Sequence, residues 1–134
     1  MSNAEGLSVP ALPEQVELSS NFLWRLEMKL VPKEIEATLP PLYSQENVAD
    51  PVAVIKLFHP CGRYTLYVLE GSREPDDDLL FFGFCVSPLG PDCDELGYVS
   101  LRELESIRGP LGIGIERDLH FKPTPLSGIR KRGD

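Results

Sequence analysis

The sequence predicts a single α+β domain, an antiparallel sheet of four or five strands flanked by two or three short helices. Three observations predict it. The runs VAVIKLF (52–58) and RYTLYVL (63–69) are dense in β-branched and aromatic residues, and the four-residue loop His59-Pro60-Cys61-Gly62 separates them as in a hairpin. The run LLFFGFCV (79–86) is apolar at both alternating sets of positions, the mark of a central strand covered on both sides. A capped helical pattern follows the strands instead of alternating with them, which excludes a βαβ succession.

A chain of 134 residues is one domain. We expect residues 1–18 to be a disordered leader, with Met1-Ser2-Asn3-Ala4 as a cloning remnant. Residues 19–30 are an extra helix, 31–127 the α+β domain and 128–134 a loose tail. The net charge is −8, with an isoelectric point near 4.7. That balance works against nucleic-acid binding, which needs clustered Lys and Arg. Three cysteines (Cys61, Cys85 and Cys93) without a C-x-x-C pair argue against a disulfide framework and for a reducing, cytoplasmic compartment. No apolar run approaches the ~18 residues needed to cross a bilayer, and the first residues lack the basic region and apolar core expected of a secretory leader.

Each element has its own signal. Leu18, Phe22, Leu26 and Leu30 recur every four residues, one stripe of a helix, with Phe22 and Trp24 available to dock a partner. A second helix over 32–39 begins at Pro32, buries Ile35 and Leu39, and ends at Pro40-Pro41. Leu42-Tyr43 is a loop wall and 44–51 a polar linker. The acidic stretch EGSREPDDD turns the chain into the central strand, where Gly83 marks a bulge or a close backbone approach. Glu95–Val99 is a fourth strand. Ser100 and Glu103 form a capping box for a helix over 100–108 whose buried stripe is Leu101, Leu104 and either Ile107 or Arg108. Gly109 takes the left-handed position behind that helix, and 116–121 is a last edge strand. From Lys122 onward the chain is loose.

The strings KEIEATLPPLYSQE (33–46), LLFFGFCV and above all ELGYVSLRELESIRGPLGIGIERDLHFKPTPLS (95–127) resemble a small bacterial family, domain of unknown function 2958 (DUF2958). The resemblance spans roughly Met28 to Ser127. It implies a bacterial accessory protein, of a kind often carried on plasmids and other mobile elements, with no assigned activity. It carries over no catalytic residue.

The chemistry-bearing residues form no recognised signature. His59, Cys61, Cys85, Cys93 and His120 are the soft metal ligands, but structural zinc needs paired ligands on two arms and only one arm is arguable. A cysteine nucleophile needs a neighbouring base, and Cys85 lies within an apolar strand. Asp50, Lys56 and Glu70 come nearest to a metal-dependent nuclease, and the triple Asp76-Asp77-Asp78 reads as a solvated turn. The glycine-rich 109–114 segment follows a helix instead of opening one, so it lacks the geometry of a phosphate loop. Arg130-Lys131-Arg132 supplies only weak phosphate contact.

The expectation is a non-enzymatic module that binds another protein, with no cofactor and no metal. The residues that folding alone leaves unexplained, Tyr98, Arg108, Glu116, Arg117 and Asp118, form the candidate patch. The alternatives are a small metal-dependent hydrolase or nuclease using Glu95, Glu116 or Asp118, and an acidic mimic of nucleic acid.

Overall fold

The β-branched and aromatic centre of the chain forms one five-stranded antiparallel sheet in the computed structural model, which describes residues 29–131. In chain order the described elements are α1 (Lys33–Glu36), β1 (Val52–Ala53), β2 (Ile55–Phe58), β3 (Thr65–Arg73), β4 (Leu79–Val86), β5 (Glu95–Ser100), α2 (Leu101–Ser106), β6 (Glu116–Arg117), β7 (Thr124–Pro125) and α3 (Leu126–Lys131). The main sheet runs β5-β4-β3-β2-β6, and β1 pairs with β7 in a separate two-stranded ribbon. Antiparallel sheet plus short helices is the α+β class expected. The helix expected over 19–30 lies outside the described residues, except for Lys29 and Leu30, which are not helical.

Two cores sandwich the sheet. On the first face Ile55, Leu57, Leu66, Val68, Leu79 and Phe81 bury against Val31 and Leu104, with Ile35 and Leu39 packed at the margin. On the second face Tyr67, Leu69, Phe84 and Val86 bury against Ala53, Leu126 and Ile129. Each fully buried aliphatic or aromatic side chain here contributes about 1.5–3 kcal/mol. The double-sided pattern of 79–86 therefore has its cause: β4 lies between β3 and β5 and feeds both cores.

Gly83 fulfils both sequence expectations. The register of β3 on β4 shifts between Val68 and Glu70, so Leu69 is an extra residue opposite Gly83. A β-carbon at Gly83 would sit 2.2 Å from the Tyr67 carbonyl oxygen. The capping box also forms: Ser100 Oγ accepts from the Glu103 N–H at 3.1 Å, and Glu103 accepts from the Ser100 N–H at 2.9 Å. Leu104 is the fully buried residue of α2, with Leu101 and Ile107 beside it.

Several boundaries differ from the sequence reading. The 52–58 run splits after Ala53 between the two sheets. β3 continues through Glu70 and Gly71 to Arg73, so the acidic turn shrinks to Glu74–Asp78, closed by a Glu74 N–H to Asp78 carbonyl bond of 2.8 Å. The first helix is a single turn, since Thr38 Oγ1 bonds back to the Ile35 carbonyl at 2.6 Å as the chain leaves it. Behind α2 the left-handed positions are Leu111 (φ 62°) and Gly112 (φ 74°), not Gly109. The helix ends in extended backbone at Ile107, and Arg108 then bridges to Gly114, so no left-handed cap is needed. The last edge strand is only Glu116–Arg117. Residues 123–131 are not loose, and the last three residues of the expected tail lie outside those described. Thr124–Pro125 pairs with Val52–Ala53, and Asp50 accepts from the Ser127 N–H and hydroxyl at the start of α3.

Candidate functional site

The fold divides the five residues singled out from sequence. Tyr98 lies on β5, at one edge of the sheet, while Glu116 and Arg117 lie on β6, at the other. Arg108 spends its guanidinium on the carbonyls of Glu105 and Ile107, at 2.5 and 2.7 Å. Arg117 Nε donates to the Leu30 carbonyl at 3.0 Å, which ties down the incoming chain. Asp118 accepts from the His120 N–H at 2.9 Å and lies 3.9 Å from the Lys56 ammonium. Ile35, Ile55, Leu119 and Phe121 line a shallow groove of about 450 Å³ beside Arg117 and Asp118. Glu116 faces Phe58 across the ladder.

The catalytic candidates occupy separate positions. His59 is buried; its Nδ1 accepts from the Cys61 N–H at 3.1 Å and its Nε2 donates to the Ile113 carbonyl at 3.1 Å. Nε2 thus pins the 109–114 loop to the β2–β3 hairpin while Nδ1 braces the hairpin's own loop, and Gly109 is small because a β-carbon there would lie 2.4 Å from the His59 ring. The three cysteines are free thiols. Asp50 holds α3, Lys56 reaches Asp118 and the Tyr67 ring, and Glu70 is buried on the second face, so the nuclease trio is dispersed among other partners. The triple aspartate is docked, not merely solvated: Asp78 accepts from the Arg102 N–H, and Arg102 donates to the Asp76 carbonyl at 2.8 Å. Among the described residues no three His, Cys, Asp or Glu side chains are placed to hold a metal ion. No described helix is long and apolar enough to cross a membrane.

What converges lies on the second face at the β5 edge. Phe82 and Tyr98 are cross-strand partners with ring centroids 4.8 Å apart, and Phe84 and Leu96 form the next pair. Glu70, the β3 partner of Phe82, is only 3% exposed. Its two carboxylate oxygens accept from the Tyr43 and Gln45 N–H groups, each at 2.8 Å. The 42–47 turn, read from sequence as a loop wall at 42–43 running into a polar linker, is thereby clasped to the sheet. It brings the Tyr43 hydroxyl to Tyr98. Partial desolvation holds the Tyr98 phenol above its ordinary range, and Tyr43 and the carboxylates Glu70 and Glu46 push it the same way. Tyr43 is 59% and Tyr98 51% exposed. The start of β5 is fixed by Asp94, which receives both Arg63 guanidinium nitrogens at 2.9 and 3.0 Å and the Ser87 N–H at 2.7 Å. The Arg63 guanidinium holds that carboxyl below the usual range.

Tyr43 and Leu96 were missed from sequence as site residues, and Glu70 was read only as part of a nuclease-like trio. The available signal was Glu70 itself, a carboxylate continuing an apolar strand run, which calls for buried N–H partners. A family profile described as protein of unknown function (DUF2958) matches residues 30–130. The chain belongs to that family. The DUF2958 match takes in both sheets, all of α2 and nearly all of α3, so the β5 edge and the Tyr43 turn are part of the family's domain. No curated protein and no solved structure matches significantly.

Proposed function

We propose that this DUF2958 member is a non-enzymatic accessory protein of the bacterial cytoplasm that binds another protein through the β5 edge. One observation carries the reading. A six-residue strand with exposed Leu96 and Tyr98 ends the sheet, and among the described residues only β4 pairs with it. Natural sheets cover or blunt such edges unless the edge is used. Exposed tyrosines beside an apolar side chain are the composition of interface centres, where a rigid ring supplies contact area at small entropic cost.

The test is the double variant Leu96→Asp/Tyr98→Asp, whose side chains are outside both cores. Wild-type protein passed through bacterial lysate is expected to retain a partner, seen as added mass by light scattering. The variant is expected to stay folded, its stability in a melt lowered by no more than the about 0.5–1.5 kcal/mol of the lost Phe82–Tyr98 pair. It is expected to retain at least about tenfold less partner, as for loss of interface-centre aromatics. A protein that stays monomeric and captures nothing, or a variant that captures as well as wild type, overturns the proposal.

A further inference from the structure

We infer that the partner presents an extended basic segment, which adds to the outer side of β5 as a sixth strand and sets a Lys or Arg side chain against Tyr98 and Tyr43. This rests on the protein-binding reading above and names the partner's chemistry.

The two edges of the sheet are managed differently. β6 is two residues long, both charged, a form that templates little. β5 is six residues, ELGYVS, without proline or lysine. Its pairing to β4 runs from Cys85–Glu95 to Leu80–Ser100 without a bulge. Among the described residues the one protection against strand addition is the charge of Glu95 at its start, and no proline, lysine or bulge blunts the rest. A β-carbon at Gly97 would meet nothing within 4 Å, so the face of the sheet is uncovered at mid-strand and a bulky partner side chain meets no obstacle there. Main-chain bonds to such an edge supply affinity, while side chains at every second position supply specificity. On the second face those positions meet Leu96 and Tyr98.

Charge decides between occupants. Glu46, Asp92 and Glu95 are exposed around the edge, and among the described residues none has an ion-pair partner. The same face already takes a cation: the Arg130 guanidinium lies 5.2 Å from the centre of the Phe84 ring, and Phe84 is the cross-strand partner of Leu96. A cation over Tyr98 and Tyr43 repeats that contact one row along, with carboxylates nearby to favour it. A second copy brings another net charge of −8 to the edge and is disfavoured by like-charge repulsion.

The probe is a synthetic peptide of alternating Lys and Val, compared with its Glu–Val counterpart and with a Lys–Val version N-methylated along one edge. Amide exchange and NMR shifts across residues 95–100 are the readout. The Lys–Val peptide is expected to slow exchange in β5 and to bind about tenfold tighter than either control, since one control loses charge and the other the ladder bonds. Glu46→Gln/Glu95→Gln, at exposed sites, is expected to weaken it about fivefold. Equal binding of the Lys–Val peptide and its N-methylated form overturns strand addition, as does protection elsewhere than β5. Peptide-free, concentration-dependent dimers that protect β5 assign the edge to a second copy and overturn it too. If capture from lysate depends on Leu96 and Tyr98 while no peptide protects β5, this inference falls and the protein-binding reading stands.

Discussion

Glu70 shows at the residue scale how one side chain builds the surface. Its carboxylate has almost no contact with water, and both oxygens accept backbone N–H bonds from the 42–47 turn. Those bonds hold Tyr43 at φ 73°, a left-handed conformation that costs a non-glycine residue about 1–2 kcal/mol. Glu70→Gln keeps the size but turns an NH₂ group toward one of the two N–H donors. Unfolding in urea is expected to register a loss of about 1–3 kcal/mol, the cost of a buried donor left without an acceptor. An unchanged unfolding midpoint would show that the clasp contributes nothing.

At the scale of elements, the cross-strand pair Gly83–Gly97 contrasts two reasons for glycine on neighbouring strands. Gly83 faces the bulged backbone of β3, and a methyl group there meets the Tyr67 carbonyl, which no rotamer change can move aside. Gly97 faces open space. Gly83→Ala is expected to destabilise the fold by at least the ~1–3 kcal/mol typical of overpacking. Gly97→Ala is expected to stay within ~0.5 kcal/mol of wild type, as at an unconstrained surface site. Thermal melts of the two variants check both, and equal losses would mean that the close approach at Gly83 is not what selects glycine.

Across the whole molecule, what the sequence revealed was what local chemistry determines. The central strand was legible because Leu79, Phe81, Phe84 and Val86 alternate between two cores, and α2 was legible because Ser100 and Glu103 are a sufficient local signal. The break after Ala53, the β1–β7 ribbon and α3 were not, because each depends on a partner far along the chain, such as Asp50 for Ser127. For the same reason Tyr98 was found, while Tyr43, 55 residues away, was not, and Glu70, 28 residues away, was read in another role. Arg108 and Arg117, chosen as unexplained, proved to be explained by carbonyls they bind. The central claim is that partners meet the β5 edge. Photo-crosslinking residues placed at position 98 and, on the opposite edge groove, at exposed position 119 test it most directly. Adducts with a partner protein from position 98 but not from 119 are the predicted result; adducts from 119 alone, or equally from both, would contradict it.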